Sequence, residues 1–219
     1  MAHPLWPLFD LRLVTPRLEL RLATDDDVAD LVELARDGLH PPERIPFLFD
    51  FCHLESPEYE TQFVQHHWGL RAAWQPDDWN LSLAVVHDGV VMGNQNLIGR
   101  SFRQLREVSS GSWLGPEHRG HGFGKEMRAA ALHFAFETLG ARAAMSGARV
   151  GNDASLGVSR ALGYRDNGTR RISFGGQVDT EIRLRVEADH WATVADRPPV
   201  EVTGFEACHH LFGLDADSD

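Results

Sequence analysis

The sequence predicts an α+β domain, in which short strands and amphipathic helices follow one another along the chain. Apolar runs at 81–86 and 90–98 are joined by Asp88-Gly89, which is a strong signal for a β-hairpin turn. Residues 178–186 alternate between apolar and polar side chains, a pattern typical of a strand with one solvated face. A capping box followed by apolar residues at helical spacing predicts a helix over 24–35. Both element types therefore contribute to the fold.

The composition is that of a globular protein whose overall charge is unsuited to nucleic acid. Of 219 residues, 42% are apolar and 24% are charged, which excludes disorder as the main state. The formal net charge of −11 would repel a phosphate backbone. The length allows one domain or two small ones, and no internal repeat or boundary supports the second alternative. We therefore expect a single domain that does not bind nucleic acid.

The cysteines and the apolar runs indicate a soluble, cytoplasmic protein. Cys52 and Cys208 lie far apart and form no disulfide framework, which favours a reducing compartment. No run approaches the roughly 18 apolar residues of a membrane span, and residues 1–13 do not resemble a signal peptide. The histidines show no metal-ligand spacing with cysteines or carboxylates. We expect neither a membrane partner nor a bound metal.

The N-terminal half begins with a strand and two helices. Residues 14–21 alternate apolar and polar side chains, which predicts a first strand. The helix over 24–35 ends where Gly38 offers a C-terminal cap. A second helix opens at Ser56-Pro57, because proline suits the first helical position. The aromatic-rich stretch 40–53 between the helices either lines a pocket or packs onto the core.

The C-terminal half continues with strands, two helices and a tail. A strand is predicted over 107–114, followed by a glycine-rich stretch and an alanine-rich amphipathic helix that runs to Thr138. A strand over 142–150 and a short helix over 153–162 come next. After the alternating strand, residues 192–219 are predicted to form a C-terminal appendage with an acidic tail.

The segment most informative about function is Ser112–Arg128, which is SWLGPEHRGHGFGKEMR. It matches neither a Walker loop, which needs Ser or Thr after its Gly-Lys, nor the dinucleotide pattern G-x-G-x-x-G. It does offer a glycine-rich loop before a helix, whose first amides are unpaired and bind a pyrophosphate well. Four side chains add local positive charge: His118, Arg119, His121 and Lys125. The pattern fits either a pyrophosphate site or a glycine-rich turn without a ligand.

Short motifs in a characteristic order resemble those of a known enzyme family. Arg119-x-x-Gly122-x-Gly124 matches R/Q-x-x-G-x-G/A, the acyl-CoA signature of the GNAT N-acetyltransferase superfamily. Asn152-x-x-Ser155 and Leu162-Gly163-Tyr164 resemble the second conserved segment of that family. Thr15-Pro16-Arg17-Leu18 and Trp191 resemble its ribosomal-protein N-terminal acetyltransferase branch.

The resemblance implies a fold, a donor and a domain arrangement. The implied GNAT fold is α+β, with a mixed, mostly antiparallel central sheet that is splayed at the fourth strand and flanked by helices. It would span 11–191 as one acyltransferase domain, after an N-terminal lead-in of residues 1–10. Three segments are also similar to an actinobacterial group with succinyl-CoA-dependent members: Trp6–Arg12, Ser110–Gly115 and Gly163–Gly168. The implied donor is therefore acetyl-CoA or succinyl-CoA, and homodimers are common in this branch.

The resemblance also implies a role for each donor-binding residue. The loop 119–125 would hold the pyrophosphate, mainly through backbone amides. Trp113 and Leu114 would pair with the pantetheine arm, and the Leu114 amide would act catalytically by binding the thioester oxygen. Asn152 would bond the pantetheine, serve as a plain helix cap, or do both. The full implied donor-binding set is Trp113, Leu114, Arg119, Gly120, His121, Gly122, Phe123, Gly124, Lys125, Asn152, Ser155 and Ser159.

Two catalytic groups of the family are missing at their expected positions. Ser159 replaces a Tyr that protonates the leaving thiolate in many members; its hydroxyl either donates a hydrogen bond to sulfur or is merely a small group on a helix face. The carboxylate base of some members falls at Val108, which cannot ionise, and Glu107 should point to the opposite face. Ser110 and Ser112 share the face of Val108 and could hold a water near the substrate.

The missing carboxylate indicates an acceptor that loses its proton easily. At about pH 7, deprotonating a lysine-like amine costs roughly 4.6 kcal/mol, whereas an α-amine costs about 1 kcal/mol. We therefore expect an α-amine, an aminosugar or a similarly activated amine, carried by a small molecule or a peptide N-terminus. Asn94 and Asn96 interrupt an apolar strand, where they either contact this substrate or make ordinary structural hydrogen bonds.

Two hypotheses about function follow. The first is an enzyme that transfers an acyl group from a CoA thioester directly to an amine, because neither cysteine has the flanking signature of a nucleophile. The second is a non-catalytic acyl-CoA-binding or regulatory protein, which the missing tyrosine and carboxylate favour.

Overall fold

The computed structural model describes residue 3 and the ranges 5–36, 54–174 and 177–214. Its strands are β1 (Arg12–Val14), β2 (Glu19–Leu22), β3 (Asp78–His87), β4 (Val90–Arg100), β5 (Glu107–Leu114), β6 (Ala143–Arg149), β7 (Arg165–Phe174), β8 (Gln177–Glu187) and β9 (Glu201–Thr203). Its helices are α1 (Asp25–Arg36), α2 (Glu58–Ala72), α3 (Phe102–Leu105), α4 (Phe123–His133), α5 (Asp153–Ala161), α6 (Ala188–Ala192) and α7 (Phe205–Cys208). Within the described ranges the strands form one sheet in the order β7-β8-β6-β5-β4-β3-β2-β1-β9. Neighbouring strands are antiparallel except β5 and β6, which confirms the mixed, mostly antiparallel α+β fold.

Helices cover both faces of this sheet. The apolar sides of α1 and α2 pack on one face, over a small cluster that includes Ala84, Val86 and Trp113. The larger core lies on the other face, where α4 and α5 pack over residues such as Leu97 and Val108. Among the described residues, none of the helices combines the length and the apolar character needed to cross a bilayer.

Local sequence signals are confirmed at the β3–β4 turn and at the start of α1, whereas α2 begins at Glu58, with Pro57 at the N-cap rather than at the predicted first helical position. The β3–β4 turn has positive φ angles of 49° at Asp88 and 81° at Gly89, as a tight hairpin requires. At the start of α1, the Thr24 hydroxyl accepts from the Asp27 amide at 3.1 Å, and the Asp27 carboxylate accepts from the Thr24 amide at 2.9 Å. This reciprocal pair is the predicted capping box. The expected cap at Gly38 and the stretch 40–53 lie outside the described residues.

Two strand predictions need correction. The expected strand 14–21 is two strands, β1 and β2, because Pro16 has no N–H and the chain turns there. The Thr15 amide donates to the Leu18 carbonyl at 2.9 Å, which closes that turn. β7 was not predicted, since its sequence is polar and lacks alternation. Among the described strands it lies at the edge of the sheet and pairs with β8 alone, and its side chains at 165–171 are exposed to solvent.

The C-terminal residues are an integral part of the sheet and core as far as residue 214. β9 pairs antiparallel with β1, and the side chains of Cys208 and Phe212 are fully buried. The indole nitrogen of Trp74 donates to the Leu211 carbonyl at 2.8 Å. The prediction of an appendage after residue 191 therefore does not describe 192–214, whose packing no local pattern reveals.

Truncating Phe212 tests whether this segment supports the fold. The Phe212 ring packs at 5.1 to 5.6 Å from the rings of Trp79, Trp74 and Phe134. We expect Phe212→Ala to lower the free energy of unfolding by about 3 to 5 kcal/mol, measured by urea denaturation. Leu105→Ala is the control, because that side chain is 54% exposed and its loss should change stability by about 0.5 kcal/mol or less. Equal effects of the two variants would show that the segment is dispensable.

His67 is an uncharged histidine on the buried face of α2. Its ring stacks on Phe63 with 5.3 Å between centroids, and its Nδ1 lies 3.5 Å from the Ser82 hydroxyl. Burial is the main cause that lowers the pKa of His67 to about 3. Between about pH 6.5 and 3, His67 therefore stays unprotonated in the folded state, whereas it is protonated in the unfolded state.

This difference predicts a pH-dependent stability. The contribution of His67 is complete above about pH 6.5 and is lost as the pH falls towards 3, with a slope of about 1.4 kcal/mol per pH unit for one proton. In His67→Gln this contribution is absent. We expect the free energy of unfolding of the variant, measured in urea between about pH 6.5 and 4.5, to fall less steeply than that of the wild type. Parallel slopes would contradict the neutral, buried state of His67.

Candidate functional site

β5 and β6 separate soon after they meet, which opens a gap in the sheet. Their parallel pairing covers three residue pairs and ends at Ser109 with Met145. Beyond that point, among the described residues, the backbone of β5 pairs with β4 alone and that of β6 with β8 alone, and a side-chain bond from Ser146 Oγ to the Ser110 carbonyl at 3.4 Å crosses the gap. We call the space between 110–114 of β5 and 146–149 of β6 the wedge. The predicted splay is thus present, but at the fifth strand, because the expected first strand is two strands.

The backbone of Leu114 faces the wedge. The amide of Gly115 donates to the Met92 carbonyl of β4 at 2.9 Å. Because successive N–H groups of a strand point to opposite edges, the Leu114 amide points away from β4 and towards the wedge. Gly93 of β4 packs so closely here that a Cβ would collide with the Trp113 carbonyl oxygen. The position of the Leu114 amide is therefore set by β4.

The glycine loop (residues 119–125) follows β5 and leads into α4. Its Gly120 and Gly122 have positive φ angles of 80° and 82°, which glycine adopts without strain. The third and fourth amides of α4 donate back to the Gly122 carbonyl at 3.1 and 3.2 Å. The first two amides of the helix have no carbonyl within the helix to bond, so they are available to an anionic ligand. The loop residues of the predicted donor set lie together here: Arg119, Gly120, His121, Gly122, Phe123, Gly124 and Lys125.

An ion pair ties this loop to the first strands. The Thr15 hydroxyl donates to Glu126 Oε1 at 2.6 Å, and Arg17 Nε donates to Glu126 Oε2 at 2.7 Å. Arg17 also donates to the His121 carbonyl at 3.0 Å, and its guanidinium lies 4.5 Å from the centre of the Phe123 ring. Because Glu126 is buried, these charge-assisted bonds hold α4 and the loop in place. Sequence analysis gives neither Glu126 nor this contact a role.

Polar side chains line the floor of the wedge. The hydroxyl oxygens of Ser110 and Tyr164 are 3.2 Å apart. Arg128 of α4 donates through one terminal nitrogen to Ser112 Oγ at 2.8 Å and through the other to Ser159 Oγ at 2.6 Å. Ser112 belongs to β5, and Ser159 belongs to α5, the helix that follows β6. The Arg128 guanidinium therefore joins the two sides of the wedge.

The hydroxyl of Ser159 is not placed to donate to a leaving sulfur. Its side chain is fully buried, donates to the Ser155 carbonyl at 2.9 Å and accepts from Arg128. Since a hydroxyl has a single proton, none is left for a ligand. The expectation that Ser159 acts as a donor to sulfur is therefore corrected.

No sequence pattern singles out Arg128, which occupies this part of the wedge. The available signal is weak: a charged side chain stands directly before three alanines of α4. Burial lowers the pKa of the Arg128 guanidinium, although an arginine remains charged. The charge is thus held in a poorly solvated place.

Other members of the predicted donor set have structural contacts as well. Asn152 caps α5, since its Oδ1 accepts from the Ser155 amide at 3.2 Å, and its NH₂ group stays available as a donor. The Trp113 side chain is buried in the α1–α2 cluster, so only the backbone of this residue can contact the acyl-CoA. Arg119 Nε donates to the Leu114 carbonyl at 3.0 Å, which joins the glycine loop to the end of β5.

The structure divides the four predicted substrate residues between two faces of the sheet: Asn94 and Asn96, Ser110 and Ser112. Cross-strand partners share a face, and neighbours along a strand alternate. Asn94 Nδ2 donates to Ser82 Oγ at 2.9 Å and to the Leu83 carbonyl at 3.0 Å, so its role is the structural one. The Ser110 hydroxyl lies against that of Tyr164 and the Ser112 hydroxyl accepts from Arg128, and their role in holding a water stays a prediction.

Asn96 keeps a buried, open acceptor. Within the described residues its Oδ1 is buried and has no hydrogen-bond partner. Its cross-strand partner is Gly111, where an added Cβ would meet no atom within 4 Å. Space and an unused acceptor therefore coincide on the α1–α2 face of the sheet.

The structure offers no base at the family position. Val108 is fully buried in the core, and Glu107 forms an ion pair with Arg185 at 2.7 Å. Burial raises the pKa of the Cys208 thiol to about 12, which makes it a poor nucleophile. In the described part of the chain, no group of three or more His, Cys, Asp or Glu side chains is arranged to hold a metal ion.

Comparisons with known proteins agree with this architecture. Residues 17–165 match the model of the acetyltransferase (GNAT) domain. RimJ of Mycobacterium smegmatis, solved with CoA-disulfide, is similar in structure with a TM-score of 0.68 at 19% identity, over 88% of this chain and 97% of that one.

Two further solved structures share the fold. For the ribosomal-protein-S5-alanine acetyltransferase of Vibrio fischeri, the TM-score is 0.64 at 17% identity, over 82% of this chain and 98% of that one. For mutant forms of the spermidine/spermine N-acetyltransferase SpeG of Vibrio cholerae, it is 0.63 at 17% identity, over 80% and 96%. Since the family model matches more than half of the chain, the protein belongs to the GNAT family, enzymes that transfer an acyl group from a CoA thioester to an amine.

Proposed function

We propose that this protein transfers an acetyl or succinyl group from acyl-CoA directly to a primary amine of a small molecule or a peptide N-terminus. The observation that carries the proposal is the wedge, with the Leu114 amide at one edge and the glycine loop at its end. A thioester and a pyrophosphate need donors of these kinds. No other described part of the chain combines them.

The donor would be held mainly by backbone groups. The first amides of α4 would bind the pyrophosphate, with Arg119 and Lys125 supplying positive charge in a protein of net charge −11. The Leu114 amide would bind the thioester oxygen as negative charge develops on it, a contribution of about 3 kcal/mol for one preorganised donor. The NH₂ group of Asn152 would serve the pantetheine arm.

The acceptor would be an amine that is easily deprotonated. Val108 cannot accept a proton, and Glu107 is held in its ion pair with Arg185. Asn96 Oδ1 would accept a hydrogen bond from the amine. The name of one structural neighbour, a ribosomal-protein-S5-alanine acetyltransferase, supports a peptide α-amine as the candidate acceptor. The name of another, a spermidine/spermine acetyltransferase, makes a polyamine the second candidate, although its alkyl amines cost as much to deprotonate as that of lysine.

Direct transfer, without an acyl-enzyme, fits the buried state of Cys208. Its free thiol also fits the reducing cytoplasm that we propose as the location. A homodimer stays a prediction from the family branch. The second candidate function is a non-catalytic acyl-CoA-binding protein, which is favoured by the valine at the position of the base and by the engaged hydroxyl of Ser159.

Thiol release distinguishes an enzyme from a binder. We expect acetyl-CoA or succinyl-CoA to release thiol in the presence of a peptide with a free N-terminal alanine or serine, followed with a thiol reagent. Because deprotonating a lysine-like amine costs about 3.6 kcal/mol more than deprotonating an α-amine at pH 7, an N-acetylated lysine peptide should react far more slowly. Spermidine is the third arm. Acyl-CoA binding without release with any amine would support the non-catalytic alternative.

A bulky substitution in the glycine loop tests the pyrophosphate site. Gly122→Glu places a carboxylate in the anion site, so we expect CoA affinity, measured by calorimetry, to fall by at least about tenfold. Gly140→Glu is the matched control, since Gly140 also has a positive φ, of 66°, and an added Cβ would meet no atom within 4 Å. It carries the same backbone strain outside the loop and should bind CoA as the wild type does. Equal affinities of the two variants would contradict the assignment.

A further inference from the structure

Arg128 is a buried cation for which the described residues provide no anion. Its residue is 4% exposed, and its recorded partners are the neutral hydroxyls of Ser112 and Ser159. Its Nε is buried without a hydrogen-bond partner in the described part of the chain. Burying a charge without a counter-charge costs several kcal/mol, even after relaxation. A group held at such a cost is a candidate for binding an anion.

Neighbouring charges do not compensate it. Glu126 lies two positions away on α4, and residues at that spacing do not face each other on a helix. Its carboxylate is already bonded to Thr15 and Arg17. The ionisable side chain beside Arg128 is Tyr164, whose pKa is raised by burial, so the tyrosine stays neutral. Since none of the described residues supplies the anion, a ligand is the candidate source.

The position of Arg128 indicates which part of the ligand it would contact. The guanidinium contacts Ser112, two residues before Leu114 on β5, which is about 7 Å along a strand. It also contacts Ser159, the position where the family resemblance places the donor to the leaving sulfur. A thioester whose oxygen meets the Leu114 amide would thus present its sulfur towards Arg128.

We propose that Arg128 stabilises the thiolate that leaves during acyl transfer. This inference rests on the proposed function. In the step, the amine nitrogen forms a bond to the thioester carbon, the carbon–sulfur bond breaks, and its electron pair goes to sulfur. The amine proton goes to solvent, so the products are an amide and a CoA thiolate. Arg128 binds this thiolate as an anion and replaces the general acid that the family tyrosine would supply.

Bound CoA provides a direct test, because its thiol can be titrated without any acceptor. We expect the thiol pKa of CoA in the wild-type complex, followed by thiolate absorbance, to lie about one unit or more below that of free CoA. A wild-type complex with the thiol pKa of free CoA would overturn the proposal. This measurement needs no variant, so it stands even if a substitution at Arg128 prevents folding.

Two variants identify the group responsible. In Arg128→Gln the shift should disappear, whereas in Ser159→Ala it should remain, since the cation is still there. Affinity for desulfo-CoA, which has no thiol, should be the same in wild type and Arg128→Gln. A shift that survives in Arg128→Gln would overturn the proposal, as would a variant that loses succinyl-CoA turnover while the thiol shift is unchanged, because that result assigns Arg128 to the acyl carboxylate.

The test separates this inference from the function on which it rests. Failure to bind CoA would contradict the proposed function itself. Binding of CoA with an unshifted thiol would leave the proposed function in place and reject only the role of Arg128.

Discussion

The early separation of β5 from β6 is the constraint on which the rest of the site depends. Strand backbones carry obligatory donors and acceptors, and most of them find partners in a folded protein. After three residue pairs, the backbone ladder between the facing edges of these two strands ends, and the Ser110 carbonyl accepts from a side chain, Ser146 Oγ, instead. β4 and β8 hold the strands from outside, so the opening stays local and its amides keep their positions. A ligand that enters this opening meets a surface whose hydrogen-bonding groups are already oriented.

α4 carries two buried charges that serve this opening in different ways. Glu126 is satisfied by Thr15 and Arg17, and its bonds fix where the helix begins relative to the sheet. Arg128, about half a turn further on, projects to the other side, where its partners among the described residues are hydroxyls. One charge therefore contributes to position, and the other is left for chemistry. The net charge of the chain gives no indication of either group, because it is a sum that does not show which charges are buried.

Features set by residues close together in sequence are predicted correctly, whereas features set by contacts between distant segments are not. The capping box at Thr24, the Asp88-Gly89 turn and the bounds of β5 rest on neighbours within a few residues, and the structure has them as predicted. The contact between Arg128 and Ser159 depends on the packing of α4 against α5, which no local sequence pattern predicts. The division of Asn96 and Ser112 between two faces depends on the β4–β5 register. The edge strand β7 is not predicted because most of its side chains are exposed, so its sequence lacks the alternation of apolar and polar residues that marks a half-buried strand.

The pairing of β9 with β1 has a consequence for how the chain acquires its structure. Of the strand pairs described here it joins the residues most distant in sequence, Arg12 and Thr203. Such contacts form late, because closing a long loop costs entropy before it gains any contact energy. During synthesis the edge of β1 that pairs with β9 stays unpaired until residues 201–203 have been made. Until β9 arrives, that edge is the surface of the nascent chain most exposed to wrong partners, and the charged Arg12 on β1 is a residue suited to discourage them.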